Sequence, residues 1–177
     1  MAGLKAEIAQ RLPFSSIEEE ALLSLLRTSD CLQRAFQRRT RDWGITSTQY
    51  NVLRILRGAQ PRGLTCSAIG GRMITAEPDI TRLLKRLKTL NFIRQQRDRQ
   101  DRRVVWTRIS ASGLDLLREM DPVIRQLPAV LLGHMGEREL ADFIRLLERA
   151  RTRSGEAQAS LSCGGEACEQ MTSAGAG

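Results

Sequence analysis

The sequence predicts a mainly α-helical fold with one small β-hairpin. Three observations carry that expectation. Leucine recurs at helical spacing, in pairs such as Leu22-Leu23, Leu25-Leu26 and Leu83-Leu84, while aromatic residues make up only 4% of the chain. The core must then be aliphatic, and leucine favours helix. Two short strand-like runs, 92–97 and 104–109, flank the polar hexapeptide DRQDRR, the pattern of a hairpin with a charged tip. Positive charge is concentrated as well: ten Lys or Arg and two Asp between Arg82 and Arg108 carry +8, the whole net charge of the 177 residues.

The elements follow in order. Residues 17 to 42 read as a long helix, with Leu22, Leu25, Leu26, Cys31, Leu32, Ala35 and Phe36 near a 3.6 period. Ser16 is its cap, Glu18 to Glu20 suit the positive end of its dipole, and Gly44 ends it. Thr46 or Ser47 caps a second helix that closes at Gly58 and Pro61. Leu64 and Thr65 suggest a short strand, and Ser67 to Met73 a short helix weakened by Gly70 and Gly71. Thr75 is expected to cap a helix to about Leu90, with Pro78 in its first turn. The hairpin comes next. Ser110 caps a helix to about Leu132, which Pro122 and Pro128 should kink or interrupt. Gly136 with Glu139 starts a last helix to about Thr152. Residues 154–177, poor in apolar bulk, read as a disordered tail, leaving one domain over 1–153.

A helix-turn-helix followed by a β-hairpin is a winged helix. In such a module the second helix of the pair enters the major groove of DNA. Thr81, Arg82 and Arg86 on its exposed side are the candidates for base edges or phosphates, and arginine's planar fork suits both. Arg99, Arg102 and Arg103 at the hairpin tip are placed to reach the neighbouring backbone or minor groove. Asp98 and Asp101 are expected to brace the tip by pairing with nearby arginines. Glu77 and Asp79 put negative charge at the start of the recognition helix, where they either cap it or exclude some DNA sequences by repulsion.

The stretch LTCSAIGGRMITAEPDITRLLKRLKTLNFIRQQRDRQDRRVVWTRISASG resembles the DNA-binding core of the multiple antibiotic resistance regulator (MarR) family. TRLLKRL, a strand, DRQDRR, and a second strand ending in IS-x-x-G are specific in combination, and the likeness extends over about residues 17 to 150. It implies a winged helix-turn-helix, with a DNA-binding core at about 46–109 flanked by N- and C-terminal dimerisation helices at about 4–42 and 110–152. It further implies a homodimer on palindromic double-stranded DNA, usually a repressor, released by a small phenolic or anionic effector. Some family members sense oxidants through cysteine instead. The tail has no counterpart in the family core.

Other residues carry weaker signals. Arg39, Trp43 and Tyr50 are candidates for an effector pocket, set against ordinary core packing. Cys31, on the apolar side of its helix, reads as a small buried hydrophobe or a redox sensor, and Cys66 lies close to the DNA-reading helices. Cys163 and Cys168 are spaced too loosely for a zinc site and lack a second ligand pair, and read as an inert flexible pair or as a redox pair that forms a disulfide under oxidation, within the tail or between subunits. One histidine, His134, excludes most histidine dyads and metal triads, and no phosphate-cradling or dinucleotide motif is present. The expectation is a non-enzymatic, cytoplasmic DNA-binding protein with no cofactor, no metal and no membrane span. An interaction module that binds an acidic partner through the wing or tail is the alternative from another class.

Overall fold

A computed structural model describes residues 3–169, with side chains described as far as Ser154. The chain divides into two compact units, Met1–Pro128 and Ala129–Gly177.

In the first unit, α1 (Leu4–Glu7) is a single turn that places Glu7 3.6 Å from Arg27. The long α2 (Ile17–Arg41) begins at Ser16, whose hydroxyl accepts from the Glu19 amide. α3 (Ser47–Gly58) opens with a full capping box: Thr46 accepts from the Gln49 amide, and the Gln49 side chain accepts from the Thr46 amide. Gln37 of α2 accepts both the amide and the hydroxyl of Ser47, fixing the corner between the two helices. α4 (Cys66–Gly70) is capped by Thr65. α5 (Ile80–Thr89) follows, then β1 (Ile93–Arg97) and β2 (Val105–Ile109), an antiparallel pair with Ile93 opposite Ile109 and Arg97 opposite Val105. Leu64 adds a bridge to Thr107 from the far side of β2, so the expected short strand is one residue pair long.

One aliphatic core holds these pieces together. Val52, Leu53 and Leu56 of α3, Ile69 of α4, Leu84 and Leu87 of α5, Ile93 and Ile109 of the hairpin, and Leu117 and Met120 of α6 (Ala111–Leu132) are all buried. Burying one such side chain contributes about 1.5–3 kcal/mol. Gly113 lies where a Cβ would meet the Phe92 carbonyl and Ile109, which is why α6 can start so close to the hairpin. Ser110 caps α6 as expected, accepting from the Gly113 amide, but neither Pro122 nor Pro128 interrupts the helix. Arg57 of α3 grips Asp121 of α6 with two hydrogen bonds, at 2.9 and 3.2 Å.

The second unit carries α7 (Glu137–Glu169), whose start is held by a 3.1 Å bond from the Gly136 amide to Glu139. The helix runs well past the end expected near Thr152. Stretch 156–162, EAQASLS, contains Ala, Glu, Gln and Leu, which lose little on entering a helix. Scarcity of apolar bulk argues against a core, not against a local helix. The rest of the expected tail, 170–177, lies outside the described residues, as do the side chains of Cys163 and Cys168. Among the described residues no helix is long and apolar enough to cross a membrane.

Candidate nucleic-acid interface

The sequence places the start of the recognition helix at Thr75; the structure starts α5 at Ile80. Pro78 disfavours helical backbone at the residue before it. Asp79 then offers a better cap, and its carboxylate accepts from the Arg82 amide at 2.9 Å. Of the two acids, Asp79 caps the helix, and Glu77 stays in the turn before it. The capped helix buries Leu84 and Leu87 and half-buries Ile80 and Leu83. Thr81, Arg82, Lys85, Arg86 and Lys88 are left exposed. Lys85, which the sequence puts outside the buried stripe but not among the DNA-contact candidates, belongs to this row, one helical turn from Thr81.

The wing tip is ordered from within. Asp98 accepts from the Gln100 amide at 2.8 Å, from the Asp101 amide at 3.2 Å and from the Trp106 indole at 2.9 Å. Asp101 accepts from the Arg103 amide at 2.9 Å. The two aspartates were expected to pair with arginine side chains; their partners are the indole and backbone amides instead. Those N–H groups are fixed by the tight turn itself, whereas an exposed arginine must be immobilised at an entropic cost to pair. The indole bond, followed by the two amides, holds the Asp98 carboxyl below its ordinary range.

Arg99, Arg102 and Arg103 are thus exposed and unneutralised. Among the described residues, no ion pair involves them or Arg82, Lys85, Arg86 and Lys88. Two elements, one a helix and one a loop, present cations that no described carboxylate satisfies.

A cavity of about 500 Å³ opens between α2, α3 and the segment leading to α5. Phe36 and Tyr50 line it with ring centres 5.5 Å apart and planes tilted by 55°, and the Arg54 guanidinium lies 5.9 Å from the Tyr50 ring centre. Ile55, Arg72 and Ile74 also line it, and no carboxylate does. Burial pushes the Tyr50 phenol up, against the pull of Arg54. Of the three residues expected to share a pocket, only Tyr50 is here. Trp43 packs against the core, and Arg39 lines a separate recess with Arg38 and Asp42. Arg39 stands seven residues beyond Leu32, on nearly the same side of α2 but about 10 Å further along its axis. Arg54 and Arg72 were missed, although Arg54 is one helical turn beyond Tyr50.

Cys31 is exposed, not buried as its apolar stripe suggested, because Leu22, Leu25 and Leu26 of that stripe are themselves exposed. Cys66 is half-buried at the start of α4.

Comparison with known proteins is consistent in direction. The MarR family profile matches residues 45–105. A solved MarR transcription factor from Planctomyces limnophilus is 36% identical, with a TM-score of 0.60, covering 77% of this chain and 98% of that one. The HTH-type transcriptional regulator YkoM of Bacillus subtilis is 25% identical over 151 residues, 81% of this chain and 95% of its own length. A mutant MarR from E. coli, solved in complex with operator DNA, has a TM-score of 0.66 at 20% identity, covering 84% of this chain and 99% of that one.

Proposed function

The chain belongs to the MarR family of transcriptional regulators, and from that premise we propose that two copies pair on a palindromic operator, repress it, and let go when a small anionic molecule binds. The observation that carries DNA reading is the unneutralised row Thr81, Arg82, Lys85 and Arg86 on α5, together with the braced wing arginines. Recognition helices read base edges with such residues, and the wing adds backbone contact. Paired copies would set their recognition helices about 34 Å apart, one turn of B-DNA.

Pairing is supported by apolar side chains that a single chain leaves bare. In the first unit these include Leu12, Ile17, Leu22 and Leu26, on or beside α2, each more than half exposed. Effector release is supported by the cavity. Its volume suits a small molecule, its floor is aromatic, and Arg54 and Arg72 bring two positive charges with no acid in the lining. Arg72, Ile74 and Thr75 wall the cavity and lead directly into α5, so a ligand there would bear on the recognition helix.

Selection of bound duplexes from a random pool, with and without aromatic acids, tests the proposal. The expected result is an enriched palindrome whose binding is weakened by at least one acid, and an Arg54→Ala variant that binds DNA but ignores the acid. Equal binding to random duplex, with no sequence enriched, would refute operator recognition. A monomer by light scattering in the presence of the enriched site would refute pairing.

A further inference from the structure

The register of the hairpin sets Arg94 directly opposite Arg108 on the face turned away from the core, while Ile93, Ile109 and Thr107 take the inward face. Like charges directly across a strand pair destabilise it. Arg108 is held in place by the Pro61 carbonyl and the Gln96 side chain, each at 3.2 Å, but both partners are neutral. Arg94 is exposed, as is Arg62 beside Pro61. No Asp or Glu occurs in 61–66, 93–97 or 104–109. Among the described residues, none of Arg62, Arg94 and Arg108 takes part in an ion pair. Among the described residues no carboxylate offsets this repulsion.

The tip arginines do not resolve it. Arg94 stands four residues before the turn at Asp98, about 13 Å at ~3.3 Å per residue. That exceeds the screening length of about 8 Å in physiological salt. Phosphates held at the tip therefore leave the base of the hairpin positive. α5 shares the core with the inward face, so the outward face looks away from the recognition helix. Three guanidiniums with no carboxylate in these segments suit a polyanion, and for a chain read as binding an operator that polyanion is the duplex beyond the half-site.

We propose that the outer face of the wing is a second DNA contact, in which Arg62, Arg94 and Arg108 hold the phosphate backbone flanking the half-site. The Gln96 carbonyl is occupied by Arg108, which leaves its amide free to donate to a phosphate oxygen. The inference rests on the operator reading above.

The test uses the full chain and two labelled duplexes: the selected operator trimmed to its ends, and the same operator with about 10 further base pairs on each side, one helical turn. Wild type should bind the flanked duplex several-fold more tightly. Arg94→Gln/Arg108→Gln should lose that preference, keep its affinity for the trimmed duplex, and lower the salt slope on the flanked one by about 0.9 per phosphate contact removed. Arg94→Gln alone relieves the repulsion and leaves the Arg108 hydrogen bonds in place, so it should melt no lower than wild type; a fall in its Tm would overturn the charge reading. Equal loss on both duplexes, or no loss on either, overturns the flanking contact. So does polyglutamate binding that needs Arg94 and Arg108 and persists with flanked operator bound. If wild type reads no operator at all, the functional reading fails too; if it reads the trimmed operator and ignores flanks, only the outer face falls.

Discussion

Asp121→Ala tests how α6 is tied to the DNA-reading core. The Asp121 side chain is 17% exposed and accepts both Arg57 hydrogen bonds, while Arg57 is 32% exposed. Arg125 also reaches it, at 3.3 Å, but is 78% exposed and adds little. A fully buried pair loses about 3–5 kcal/mol when one partner is removed, because the other charge is stranded. A surface pair loses about 0–1 kcal/mol. Arg57 can turn a third of its surface to water, so the expected loss is intermediate, roughly 2 kcal/mol. For a chain of this size that is a Tm lower by roughly 4–8 °C. The measurement is thermal unfolding at fixed protein concentration, since pairing of copies would make Tm concentration-dependent. The pH dependence has a definite sign. The Arg57 bond, the largest cause, holds the Asp121 carboxyl below its ordinary value. Its stabilisation is therefore complete above about pH 4, where an unfolded aspartate ionises, and disappears as pH falls through the lower folded value. Asp121→Ala should lack that part of the acid sensitivity. A double-mutant cycle with Arg57→Ala decides the matter: losses that add to within about 0.5 kcal/mol would mean the two residues are not coupled, and the reasoning would be wrong.

Three other outcomes are expected. Asp79→Ala should cost about 1 kcal/mol in urea unfolding and Asp79→Ser much less, since serine can still cap α5; equal losses would mean that the cap is not what matters. In a Trp43→Phe background, Asp98→Asn should change the emission of Trp106 and remove the acid transition expected below the ordinary carboxylate range, since the folded Asp98 carboxyl titrates lower than usual. An unaltered emission profile from pH 2 to 7, a window bracketing the usual value of ~3.9, would count against the brace. Arg82→Ala should cost about 1–3 kcal/mol on the operator and relax preference at one base position; a uniform loss on every sequence would assign Arg82 to the backbone.

Local grammar made much of the molecule readable in advance. Ser16, Thr46 and Ser110 cap helices because a short polar side chain next to an apolar period satisfies free amides wherever the chain goes afterwards, whereas Thr65, expected in a strand, also proves to be a cap. The two strands, the charged turn and the row Thr81, Arg82, Arg86 were legible for a similar reason: alternation and helical spacing are properties of the chain itself. The errors lie where two local signals compete or where distance in sequence is long. Thr75 and Asp79 both look like caps, and Pro78 between them decides for Asp79. Trp106 reads as an apolar strand residue, yet its indole nitrogen meets Asp98 across the hairpin. Arg39 and Tyr50 look like neighbours, yet they line separate recesses.

The sequence by itself determined the order of elements, the wing, the concentration of charge and the resemblance to a regulator family, because each depends on residues within a turn or two of one another. Only the tertiary structure decided which arginines stay unneutralised, which polar groups close around the cavity, and that Arg94 faces Arg108. Those depend on register and on helix facing, where a shift of one residue turns a side chain to the other side. Neither is written at any single position.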